Sequence, residues 1–170
     1  MNCFVWRVPL PEDFFYDGMS KFEFVRDELL SKKILRQGWG IEDLRSGESA
    51  YVARCVSLGG TDSEAKKRFN ILKPMLNIDV GDKIVIPKLS IRSGETKHGK
   101  YFTVVVCTKV YDFSFPSICE KDFGHFIEVN WSTGTYDNSA QPYISEQLRD
   151  YIKAINRVRN TNLTNAVLNL

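Results

Sequence analysis

Trp39 stands between two glycines in the run Gln37-Gly38-Trp39-Gly40-Ile41-Glu42-Asp43-Leu44-Arg45, just past a segment with helical spacing. Such glycine flanks let other backbone approach closely. A flat indole held in a loop can stack a nucleobase or close one wall of a methyl-binding cage, worth about 1 to 3 kcal/mol per stacked base. The competing reading is a plug that fills the core under the loop. Trp6 and Trp131 fall in strand-like segments, where packing and a pocket wall are both open. Tyr101, Phe102, Tyr111, Phe113 and Phe115 make an aromatic strand and its exit. A period of two puts Tyr101 and Tyr111 on one face. Lys32, Lys33 and Arg36 precede the tryptophan loop, and Arg92, Lys97, His98 and Lys100 lie between strands. Both clusters could place phosphates around a recognised base, or form ordinary solvated faces.

Other chemistry finds less support. Asp122-Phe123-Gly124 has the form of a kinase magnesium motif, but the glycine-rich loop, strand lysine and H-R-D loop that must accompany it are missing. Asp82, Lys83 and Lys88 make a poor nuclease core, because Asp82 already has a structural role in the Gly81-Asp82 turn. Cys3, Cys55, Cys107 and Cys119 are scattered without a C-x-x-C pair, which predicts free thiols. With His98 and His125 the only histidines, no metal, cofactor or catalytic residue is expected.

The elements that must position these groups fit one domain, since a single core typically organises about 100 to 200 residues and the chain has 170. We place that domain at 1–160, with a short polar tail over 161–170. The net charge of +2, from 23 basic and 21 acidic residues, is too small for indiscriminate phosphate binding, so any nucleic-acid surface must be a local patch. Apolar runs fall far short of the ~20 residues that span a bilayer. Residues 1–18 lack the basic start and apolar core of an export signal, so the expectation is a soluble cytoplasmic protein without membrane contact.

Cys3 to Val8 reads as an opening strand. Ser20 with Glu23 forms a capping box, and Phe22, Val25, Leu29 and Leu30 recur at helical spacing, predicting a helix from about Lys21 to Gln37. Trp39 to Leu58 reads as irregular. A second box, Thr61 with Glu64, starts a helix through Ala65, Phe69 and Leu72 that Pro74 ends. Strands follow over Lys83 to Lys88, Tyr101 to Tyr111 and Phe123 to Trp131, the last breaking at Gly134. Ile144, Leu148, Ile152 and Ile155 predict a closing helix to about Arg159. The sum is an α+β fold: a curved sheet or open barrel of five to six strands flanked by about three helices.

In that order the motifs resemble the EVE domain and, more distantly, the YTH domain, both PUA-like. Phe4-Val5-Trp6-Arg7-Val8 resembles the family's first strand, and Trp39 to Arg45 its W-x-G-V-R-N loop, with Ile41-Glu42 in place of glycine-valine. Ile78 to Ser90 resembles the segment in which G-D opens a strand, Gly99 to Tyr111 the long strand after it, and Phe126 to Trp131 the next. Gln141 to Leu148 and Ile155 to Asn160 resemble the proline, helix and V-R ending. The likeness covers nearly the whole chain, although Ser46 to Met75 is longer than in a minimal member. It implies a reader of modified DNA or RNA without bond chemistry. Trp39 would be the main cage wall and Tyr101 another, with Asp43 or Ser90 on a base edge; Trp6 and Trp131, read from their own segments, remain further pocket candidates. Lys121 to Trp131 also resembles a G-H-x-x-x-V-x-W pattern of modification-dependent restriction systems. That likeness implies DNA with a flipped modified base and a partner nuclease or motor. A nuclease or other hydrolase with an unrecognised site, and a protein or small-ligand interaction domain, are the alternatives.

Overall fold

Residues 1–8, 10, 12–114 and 123–170 are described in the computed structural model, with the backbone alone at 131–133. The chain opens with β1 (Cys3–Trp6), all four residues buried, and a short hairpin of β2 (Phe15–Tyr16) and β3 (Met19–Ser20). Ser20 then caps α1 (Lys21–Asp27): its N–H and hydroxyl both donate to the Glu23 carboxylate, at 2.8 and 2.7 Å.

The helix expected to reach Gln37 ends early. Glu28–Lys32 widens into a π-helical turn, Lys33 takes a left-handed φ of +59°, and Ile34–Gln37 becomes β4. Sheet pairing overrides helical spacing here, because it buries Ile34 and Leu35. The stretch expected to be irregular contains α2 (Glu48–Ser57), started by Gly47 at φ +87°. Its buried stripe is only Tyr51 and Cys55, too thin to stand out as a period. The Thr61 box starts α3 (Asp62–Leu72) as expected, with Ala65, Phe69 and Leu72 buried.

Next come β5 (Lys83–Pro87), β6 (Tyr101–Phe113) and β7 (His125–Asp137). Gly134 does not end β7; at φ +90° it accommodates a bulge through which the strand continues. The predicted closing helix is cut short at α4 (Pro142–Gln147) and a following 3-10 turn. Ile155 instead enters β8 (Ile155–Arg157) opposite Trp6. The polar tail forms a helix: the Asn160 side chain accepts from Asn162 N at 3.0 Å and Leu163 N at 3.1 Å, starting α5 (Thr161–Leu168). Leu163 and Val167 of that helix are fully buried.

Apart from the β2–β3 hairpin, the strands form one mixed sheet in the order β4-β7-β6-β5-β1-β8, with β1 and β5 parallel and every other pair antiparallel. The sheet curls: Gln37 at the end of β4 donates through its amide to the Arg7 carbonyl beyond β1, at 3.1 Å, although those strands are far apart in the order. Strand alternation supplies two cores. Phe4 and Trp6 pack with Ile84, Ile86, Val105 and residues of α2 and α3, whereas Cys3 and Val5 pack with Val85, Phe102, Val104 and residues of α4 and α5. The fold is therefore mixed α+β with five α-helices; the expected three omitted α2 and α5. Among the described residues no helix is long and apolar enough to cross a membrane.

Candidate functional site

Immediately after β4 the chain places Trp39 at φ +59°, a conformation uncommon for a bulky side chain, with 38% of the residue exposed. Three donors converge on its carbonyl: Tyr51 Oη at 2.8 Å, Ile41 N at 2.9 Å and His125 Nε2 at 3.1 Å. Tyr51 comes from α2 and His125 from the first position of β7, and both are fully buried.

The hydrogen bonds fix the histidine tautomer. A carbonyl only accepts, so His125 Nε2 carries the proton and Nδ1 accepts from Tyr111 Oη at 2.9 Å. Tyr111 Oη in turn accepts the Leu44 N–H at 3.0 Å, tying in the other end of the tryptophan loop. The rings of Phe113 and Tyr111 lie 5.3 and 5.8 Å from the imidazole. Burial pushes the His125 pKa down to about 4, so the ring is neutral at pH 7. Gly124 shows how tight the region is: a Cβ there would meet the Phe113 ring at 2.8 Å and the Gly40 carbonyl at 3.2 Å. The close approach expected of the glycines beside Trp39 is realised at this third glycine.

Arg68 of α3 sets its guanidinium 5.6 Å from the Trp39 ring centroid. The loop thus presents a half-exposed indole on a fixed backbone, with a planar cation at one side. Asp43, on the same loop, caps the turn at Leu44–Ser46 and accepts from Arg45 N at 2.9 Å. Its oxygens also hold the Arg45 guanidinium, the shortest contact being 2.6 Å. Burial raises the Asp43 pKa, but the hydrogen bonds and charge of Arg45 outweigh it, leaving the carboxyl below its usual range. A base edge would have to compete with Arg45 for it.

The other expected pocket residues lie elsewhere. Trp6 is 1% exposed in the larger core and offers no face to a ligand; its position on β1 points it inward among Phe4, Ile84 and Ile86. Ser90 is fully buried, its hydroxyl accepting from Arg92 N at 3.2 Å and its N–H donating to His98 Nδ1 at 3.2 Å, so it meets no base edge. Tyr101 opens β6 with the Arg92 guanidinium 5.1 Å over its ring, and it shares no hydrogen-bond or ring partner with Trp39 or Asp43. Despite register shifts along β6, Val105, Cys107 and Tyr111 face the larger core while Phe102 and Val104 face the smaller one, so the strand keeps the alternation expected from Tyr101 to Tyr111. The Trp131 side chain, Phe115, Cys119 and Asp122 lie outside the described residues.

The phosphate candidates divide. Glu28, 4% exposed at its side chain, pairs with Lys32 at 2.7 Å and with Arg36 at 2.6 Å, so one buried carboxylate offsets part of the first basic cluster and leaves it net positive. The Lys33 carbonyl accepts from Val129 N at 2.7 Å, and its side chain is exposed. Lys97 and Lys100 are exposed, and Arg92 donates to the Thr135 carbonyl at 3.3 Å. Asp82 accepts from Asn2 N at 2.6 Å and Asp79 N at 3.0 Å, and Lys83 donates to the Val167 and Leu168 carbonyls at 3.2 and 3.0 Å. Both have structural duties in place of nuclease chemistry. Cys3, Cys55 and Cys107 are buried free thiols, and among the described residues no group of three potential ligands could hold a metal.

Sequence reasoning missed Tyr51, Arg68 and the supporting roles of Tyr111 and His125. The register that sets His125 opposite both Gln37 and Phe113 brings the histidine to the loop, and no local spacing encodes it. No family model matches this chain, and no curated protein matches it in sequence.

Proposed function

We propose that this protein is a binding module that stacks a nucleobase on Trp39 and reads a modified base, with DNA the favoured nucleic acid, as its likeness to EVE and other PUA-like domains implies. The observation that carries the reading is the indole itself, 38% exposed on a backbone pinned by three donors. A loop ordered before binding spends little of the stacking energy on its own immobilisation. Arg68, already against the ring, can add a cation to a stacked base or its phosphate. The neighbouring histidine argues for recognition over turnover: both His125 nitrogens are committed to internal hydrogen bonds and the residue is fully buried. The mixed α+β curled sheet is compatible with a PUA-like arrangement.

The test is binding at stated salt to matched oligonucleotides carrying cytosine, methylcytosine, hydroxymethylcytosine, adenine or methyladenine at one position. Selective binding that weakens about 5- to 150-fold in Trp39→Ala, the equivalent of one lost stack, supports the reading. Equal, negligible binding to every oligonucleotide overturns it.

A further inference from the structure

The ends of β1, β5 and β7 and the start of β6 meet around a cavity of about 230 Å³ that plays no part in the tryptophan site. It is smaller than the roughly 300 to 1,000 Å³ typical of pockets for larger organic ligands. Arg7 reaches it from the end of β1, Lys88 from the end of β5 and Arg149 from the turn after α4. Tyr101, Asn138 and Ser145 add polar groups, the Tyr101 hydroxyl being held by Glu95 outside the lining and the Asn138 amide donating to the Gly99 carbonyl at 3.1 Å, and no carboxylate is found among the described lining residues.

We propose that this cavity binds a phosphoryl anion. The Arg7 guanidinium donates through Nε to the Tyr151 carbonyl and through Nη2 to the Leu148 carbonyl at 3.3 Å, which fixes the planar fork at the cavity wall. A fixed guanidinium suits the geometry of phosphate oxygens. Among the described residues none of the three cations lies within ion-pair distance of an acid; Glu12, whose titration feels Lys88, is itself held by Lys21 at 2.5 Å. Like charges gathered around a small cavity raise the local concentration of anions. Lys88 also sits at φ +58°, a left-handed conformation that glycine or asparagine would adopt at less cost. The lysine at this position adds its charge to the cavity lining at the expense of backbone strain.

Thermal unfolding and calorimetric titration with inorganic phosphate, against chloride of equal ionic strength, test the site. Saturable binding with a rise in Tm is expected. Lys88→Gly should raise the Tm of the unliganded protein while weakening phosphate binding about tenfold or more, and exposed Arg149→Gln should weaken it similarly without the gain in Tm. No phosphate-specific rise, or a rise fully retained in both variants, overturns the proposal. Competition by an oligonucleotide with a 5′-phosphate, but not by its unphosphorylated twin, assigns the phosphoryl group to a nucleic-acid end. Competition by neither assigns it to a small free phosphate, and both results support the site.

Discussion

The two ends of β6 handle polar groups in opposite ways. Near its end, Tyr111 and His125 are buried and satisfied, and several nearby cations are held by acids: Arg45 by Asp43 and Asp112, Lys32 and Arg36 by Glu28, with Arg68 left against the Trp39 ring. Near its start, around Tyr101, three cations face a cavity without an acid partner among the described residues. A buried, fully bonded network costs little to maintain and holds a rigid surface, whereas unpaired charge is tolerated only where it stays available to solvent or ligand. The first region is suited to present a flat apolar face, and the second to attract an anion.

Breaking the larger core, which lies beneath the tryptophan loop, has the largest expected effect. Trp6→Ala should cost about 3 to 5 kcal/mol of stability by urea unfolding, because the indole is fully buried. A stable Trp6→Ala protein that loses only ligand binding would place Trp6 in the site after all.

Acid should loosen the tryptophan end selectively. His125 titrates near 4 when folded and near its ordinary 6.5 when unfolded, so the unfolded chain takes up the proton first as pH falls. Stability should therefore be intact above about pH 6.5 and decline towards pH 4, by up to about 1.4 kcal/mol per pH unit from this group. His125→Leu should flatten that part of the profile; an unchanged slope in the variant would assign it to other groups. The same substitution removes the Nδ1 acceptor of the Tyr111 hydroxyl, leaving it Asp43 alone, and removes a donor from the Trp39 carbonyl, at a cost of about 1 to 3 kcal/mol at pH 7.

Trp39→Ala marks the small end of the scale. With its side chain half exposed and its supporting bonds made by the backbone carbonyl, it should cost about 1 to 2 kcal/mol, well below Trp6→Ala. A loss as large as that of Trp6→Ala would make Trp39 a core plug.

Much of the framework was readable where short-range chemistry decides it. The capping boxes at Ser20 and Thr61 start helices, and the β-branched run before Tyr111 is a long strand. Helix ends were less legible, since Ile34 and Ile155 satisfy a helical period yet gain more burial from pairing with β7 and β1. At the site, Trp39 and its loop stood out by their glycines, while the network beneath depends on contacts between residues as far apart as Trp39 and His125. The ion pairing of Lys32 and Arg36 was not legible, because their partner Glu28 lies on the preceding turn and is itself buried.

The most direct test of the Trp39 face compares the wild type with Trp39→Phe and Trp39→Ala for affinity towards the best-bound modified oligonucleotide at one salt concentration. A stacking platform predicts that phenylalanine retains most of the affinity and alanine loses about 5- to 150-fold, with all three proteins equally folded. Alanine binding as tightly as the wild type would contradict it.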